Sequence, residues 1–162
     1  MTIKGVIDED FVNYKLPAMY ICFNKCSFKC DKENKKRLCH NYDLIKQPDI
    51  EVDTEELVQR FIENPISEAV VFGGLEPFDS AEDLQTFIIE FRYRSDAPIV
   101  IYTGYTEEEI KDKFSWIYLY ENIVIKYGRY VPNQKPHYDE VLGVELISDN
   151  QYARAYNKTY DF

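Results

Sequence analysis

Three times in this chain a short apolar run stops at a glycine: EAVVFGG (68–74), APIVIYTG (97–104) and NIVIKYG (122–128). Such runs are too short for buried helices and too uniformly apolar for half-exposed strands. They read as strands buried on both faces, the signature of a parallel sheet. LPAMYICF (16–23) has the same character. Between these runs lie helical patterns. VDTEELVQRFIEN (52–64) starts with Asp53 as N-cap and Glu56 at capping-box spacing, and Leu57, Val58 and Phe61 form its apolar face. SAEDLQTFIIEFRYR (80–94) carries Leu84, Phe87, Ile88 and Phe91 at helical spacing, and TEEEIKDKF (106–114) repeats the cap with Thr106 and Glu109. Alternating strands and helices predict an α/β fold with a largely parallel sheet. IKGVI (3–7) adds a short strand, and VLGVELIS (141–148) reads as the last one. No repeat, low-complexity block or linker divides residues 1–162, so a single domain is expected.

The composition narrows the function. A hydrophobic content of 45% with 15% aromatics supplies a core, while the net charge of -10 offers no cationic excess for a phosphate backbone. We therefore expect no nucleic-acid partner. No apolar run reaches membrane-spanning length, and MTIKGVIDED lacks a leader pattern, which places the chain in the cytoplasm with no membrane partner. In that compartment clustered cysteines indicate metal or redox chemistry rather than disulfides.

All four cysteines fall within CFNKCSFKCDKENKKRLCHN (22–41), directly after the first buried run. In parallel sheets ligands sit beyond the carboxyl ends of the strands. This loop, GGLEP after the second run and TGYT after the third all fall there. Thiolates hold zinc or iron-sulfur clusters. Zinc usually takes two short knuckles, whereas Cys22, Cys26 and Cys30 are spaced by four and Cys39 stands alone beside His40. Three thiolates on a [4Fe-4S] cluster would leave one iron open for a small molecule. Cys22-Cys26-Cys30 is the tidy set by spacing. An extended chain, however, puts Cys22 and Cys26 roughly 13 Å apart. Cys26, Cys30 and Cys39 all lie in the loop and are preferred. Cys22, inside the strand pattern, reads as a small buried hydrophobe, His40 as a bystander, and His137 receives no role.

These residues resemble the radical S-adenosylmethionine (SAM) superfamily, and within it the activating proteins of anaerobic ribonucleotide reductase. That family shows Cys-x3-Cys-x2-Cys with an asparagine soon after the last cysteine. Cys26-x3-Cys30 is similar to the first pair, and LCHN (38–41) is similar to the third ligand with its neighbours. The departure is an eight-residue segment, DKENKKRL, between the second and third cysteines. EDFVN (9–13), FGGLEP (72–77, with Leu75 inserted), IYTGY (101–105) and SDNQ (148–151) resemble further family segments in the same order.

The resemblance implies a partial, open parallel barrel of radical SAM type. It implies two cofactors, a [4Fe-4S] cluster on Cys26, Cys30 and Cys39, and SAM. Gly73, Gly74 and Glu76 would meet the methionyl group, Thr103 and Tyr105 would line the pocket with Tyr105 stacked on adenine, and Leu38 and Asn41 would meet the adenosine. The implied activity is that of an oxidoreductase: SAM is cleaved reductively and a glycyl radical is left on the large subunit of the reductase. A flavodoxin- or ferredoxin-like protein would be the electron donor. Activation of another glycyl radical enzyme such as pyruvate formate-lyase, small-molecule radical chemistry such as a ring contraction, a cluster used only for electron transfer, and a zinc-binding module remain as alternatives.

Overall fold

The computed structural model describes residues 1–157, so residues 158–162 of the expected domain lie outside it. Its strands are β1 (Thr2–Asp10), β2 (Ala18–Phe23), β3 (Ile50–Glu51), β4 (Ala69–Gly74), β5 (Ile99–Tyr102), β6 (Ile123–Tyr127), β7 (His137–Asp139), β8 (Val144–Leu146) and β9 (Tyr152–Tyr156). Its α-helices are α1 (Lys29–Asn34), α2 (Thr54–Glu63), α3 (Ala81–Arg92) and α4 (Glu107–Lys113). The main sheet has seven strands in the order β3-β1-β2-β4-β5-β6-β9. Its centre, β2-β4-β5-β6, is parallel, and β1, β3 and β9 add antiparallel edges. The fold is therefore mixed α/β with a mostly parallel sheet. The sheet is open, with no closed barrel among the described residues.

Three expectations change. The first strand runs to nine residues rather than five and pairs antiparallel with β2. VLGVELIS does not end the sheet: Val144–Leu146 pairs only with β7, in a separate hairpin. The last strand is Tyr152–Tyr156, antiparallel to β6. An exposed, weakly apolar edge such as YARAY leaves little pattern to read. The cysteine loop also contains a helical turn, α1, where only irregular chain was expected.

The two faces of the sheet differ in side-chain size. Met19, Ile21, Phe23, Val70, Phe72, Ile99, Ile101, Ile123 and Ile125 share one core with Leu57, Phe61, Leu84, Phe87, Phe91 and Ile110 of α2, α3 and α4. α2, α3 and α4 thus cover one face, which receives the larger of the alternating strand side chains. The other face carries Ala18, Ala69, Val71, Val100 and Val124, capped at one end by Tyr14, Leu142 and Leu146. Small residues there leave room above them. Tyr20, Gly73, Tyr102 and Lys126 occupy that next layer, at the carboxyl ends of the parallel strands.

Candidate functional site

A cavity of about 410 Å³ opens over this layer, within the size range of small-molecule sites. Cys26, Cys30, Cys39, Asn41, Gly73, Gly74, Glu76 and Thr103 all line it. Segments far apart in sequence therefore meet at one place, as the parallel sheet predicted. Leu38 and Tyr105 do not line it.

The long spacing between Cys30 and Cys39 is closed by Asp31. Its Oδ1 accepts from Leu38 N at 2.7 Å and from Cys39 N at 2.9 Å. Its carbonyl caps the end of α1 through Lys35 N, where Lys35 takes φ 53°. The inserted segment thus makes one helical turn and returns Cys39 to the cavity. Arg129, buried behind the loop, fixes the turn from outside. Its Nη2 donates to Glu109 Oε1 at 2.8 Å, while its Nε lies 3.2 Å from Glu33 Oε1 in an ion pair off the angle of a hydrogen bond.

The four cysteines are free thiols. Burial pushes the Cys26 thiol up to about 12, even though Phe28 N donates to its sulfur, and burial also raises Cys39. In the cluster-free chain these thiols hold their protons, so metal binding must release them. Among the described residues no three His, Cys, Asp or Glu side chains converge tightly enough to hold a single metal ion. A cluster spreads its thiolates further apart than one ion does, so three thiols around one cavity fit a cluster. Cys22 lies elsewhere. It pairs across β2 and β4 with Gly73, and a Cβ on Gly74 would come 3.0 Å from its own.

The two glycines of FGGLEP have separate packing reasons. A Cβ at Gly73 would lie 2.4 Å from the Tyr20 hydroxyl. Gly74 takes φ +78° and donates its N–H to that same hydroxyl at 2.7 Å. Glu76 is buried. Its Oε1 accepts from Thr103 Oγ1 at 2.7 Å and Phe78 N at 3.1 Å, and its Oε2 accepts from Gly104 N at 2.8 Å. Burial nevertheless pushes its carboxyl up to about 7.

Tyr105 serves the loop from behind. Its hydroxyl donates to Asp79 Oδ1 at 2.6 Å, and Asp79 Oδ2 accepts from Ser27 N at 2.7 Å. Lys29 Nζ sits 4.0 Å over its ring. The ring meets Phe78 and Phe114 edge to face and, buried, does not line the cavity. Leu38 acts through its backbone, on Asp31.

Two further polar residues of the cavity carry no role assigned from the sequence. Lys126 is buried, and its Nζ donates to Gly128 O at 3.1 Å. Burial lowers its ammonium to about 8. Its signal was legible: a lysine inside the apolar run NIVIKYG. Gln151 shares the same carbonyl through Nε2 at 3.3 Å, and its Oε1 is buried without a hydrogen-bond partner among the described residues. Gln151 ends the SDNQ segment, whose resemblance assigns it no role. His40 packs against Tyr130 with the rings tilted by 51° and their centroids 4.7 Å apart, and both line the cavity.

A family model described as a 4Fe-4S single cluster domain matches residues 18–151. The chain belongs to that family. The match runs from the first residue of β2 to Gln151 and so takes in the cysteine loop, the glycine turns and the cavity. No curated protein and no solved structure matches the chain. The residues present fit the group that the family implies: three free thiols on one loop, facing one cavity. No helix among the described residues is long and apolar enough to cross a membrane.

Proposed function

We propose that this chain is a radical SAM activase that generates a glycyl radical on the large subunit of an anaerobic ribonucleotide reductase. One observation carries the reading. The cysteine loop, the FGGLEP carboxylate and the TGY turn, the segments that resemble that family, surround a single cavity at the carboxyl ends of parallel strands. The strand order β2-β4-β5-β6 follows the sequence with α2, α3 and α4 on one face, which suits an arc of a radical SAM barrel.

Cys26, Cys30 and Cys39 would hold the cluster. When bound, a [4Fe-4S] cluster supplies the electron that splits SAM into methionine and a 5'-deoxyadenosyl radical, which takes hydrogen from a glycine of the partner. The chain's residues bind and orient. Glu76 uses three of about four acceptor positions internally, so one remains for the SAM ammonium. Lys126 is a buried cation whose one hydrogen-bond acceptor among the described residues is a carbonyl. Glu76 favours its charge from a distance without forming an ion pair; a buried charge with no direct counter-ion is costly, and a carboxylate entering the cavity would relieve that cost. The small face of the sheet excludes water beneath the ligand. The reductase and a flavodoxin- or ferredoxin-like donor complete the proposed system.

The test is anaerobic reconstitution of the full chain, followed by iron, sulfide and zinc analysis. Methionine and 5'-deoxyadenosine are then measured, and a glycyl radical is sought on added reductase by electron paramagnetic resonance. A cluster without 5'-deoxyadenosine would reduce the reading to an electron-transfer protein. Cleavage without a radical on the reductase would move the substrate to another glycyl radical enzyme or a small molecule. Zinc without a cluster would refute it.

A further inference from the structure

The charge of this chain is sorted, and the sorting is centred on the cysteine loop. Residues 25–37 hold six of the 19 cations but only two of the 29 acids, so this segment carries +4 and the rest of the chain -14. Both acids of the segment are turned to internal work. Asp31 accepts from Leu38 N and Cys39 N, and Glu33 pairs with the buried Arg129. Two of the cations are also engaged: Lys29 with Glu109 and the Tyr105 ring, and Arg37 with Asp43 and the Tyr42 ring. Lys25, Lys32, Lys35 and Lys36 are left exposed, with no ion pair among the described residues. The outer surface of the loop is therefore cationic, although the chain as a whole is acidic.

Helix stability does not explain this pattern. α1 has six residues and only a weak dipole, which one lysine at its last turn would satisfy. Nor does the pattern suit a nucleic acid, since a patch of four lysines is too small and the surrounding -14 would repel a long polyanion. Position supplies the function. Lys32 lies on α1 two residues after Cys30, and Lys35 and Lys36 follow its end. A helix of this length spans about 9 Å, so these exposed lysines lie on the short segment that joins two of the three cavity thiols, Cys30 and Cys39.

We propose that the lysine face of the Cys30–Cys39 segment is the docking surface for an acidic protein that carries a one-electron redox group. The inference rests on the cluster reading above and adds the location and charge of the donor's landing site. Opposite charge steers encounter and orients the carrier, while the acidic remainder of the chain turns away other approaches. In the transfer, one electron leaves the reduced carrier and one enters the oxidised cluster. No bond forms or breaks, and no proton moves.

The test compares the wild type with K32E/K35E/K36E, both reconstituted without oxygen. All three sites are exposed, so the variant keeps its fold, which circular dichroism checks. The probe is a purified acidic flavodoxin in its hydroquinone form, and the control reductant is photoreduced, uncharged deazaflavin. Bleaching of the cluster's visible absorption is followed by stopped flow across ionic strength, and flavodoxin binding to the cluster-free chain is measured alongside. The expected wild-type rate falls at least tenfold with added salt. The variant is at least tenfold slower at low salt and is insensitive to salt, with equal rates for deazaflavin and loss of flavodoxin binding. Equal flavodoxin rates and binding in the two proteins would overturn the inference while leaving the cluster in place. Loss in the variant of binding to a labelled RNA, with carrier rates unchanged, would overturn it in favour of a nucleic-acid surface. A chain that takes up no iron would overturn the cluster reading itself. Salt-sensitive flavodoxin binding, lost in the variant, would still support the surface.

Discussion

Gly73 offers a direct test of why the FGGLEP glycines are there. A methyl group added at this position would meet the Tyr20 hydroxyl at 2.4 Å and its Cζ at 3.0 Å. Tyr20 cannot swing away freely, because its hydroxyl accepts the Gly74 N–H at 2.7 Å. The ring lies with Gly73 and Tyr102 in the layer that floors the cavity. Gly73→Ala should therefore cost about 1–3 kcal/mol, the range for overpacking a well-filled interior. Tyr20→Phe alone leaves Gly74 N–H without its acceptor, at a cost of about 1–3 kcal/mol. In the double variant the shortest contact relaxes from 2.4 to 3.0 Å, so the combined loss should be smaller than the sum, with a coupling of about 0.5–3 kcal/mol. Urea unfolding of the cluster-free chain, followed by the fluorescence of its single tryptophan, Trp116, gives the four free energies. SAM binding by the reconstituted proteins gives the second axis. A neutral Gly73→Ala, or strictly additive losses, would refute the packing argument. Loss of SAM binding with no loss of stability would show that the glycine serves the ligand instead.

Asp31→Ala should free both Leu38 N–H and Cys39 N–H and lower iron from about four per chain, whereas Asp31→Asn, with one carbonyl acceptor, should keep most of it; colorimetric iron and sulfide analysis decides. Glu76 should make the cluster-free chain less stable as pH rises. Its folded carboxyl titrates near 7 against an ordinary 4.5, so the native chain keeps a proton that the unfolded chain releases. Stability from this group is full below 4.5 and is lost toward 7, by on the order of 3 kcal/mol. Lys126 contributes no slope in that window, because it is protonated there in both states. Glu76→Gln should flatten the profile, and an unchanged slope in urea titrations would contradict the assignment. Lys126→Met should stabilise the ligand-free chain by about 1–3 kcal/mol by removing a buried cation and should weaken SAM binding at least tenfold. A variant that loses stability as well would mean that the lysine supports the fold rather than the ligand.

Elements under local chemical control were legible in the residues alone. Apolar runs ending in glycine became β4, β5 and β6, because a strand buried on both faces needs nothing but apolar side chains. The spacing of Leu84, Phe87, Ile88 and Phe91 became the buried face of α3, and Thr106 with Glu109 became a complete capping box. The concentration of thiols in one loop was visible because four residues of one rare type lay within twenty positions.

Whatever depends on partners distant in sequence was set by the packing of the folded chain. Whether Cys39 could join Cys26 and Cys30 turned on a carboxylate eight residues away reaching two backbone amides. Tyr105 was placed against Asp79, and Glu76 against Thr103 and Gly104, by strand register, which no local pattern encodes. Lys126 and Gln151 became cavity residues only when β6 and the turn before β9 met at one carbonyl oxygen. Hydrophobic periodicity tells a chain which side to bury. Only the folded packing tells a polar atom which neighbour it will find there, because that neighbour's distance is set by the whole sheet.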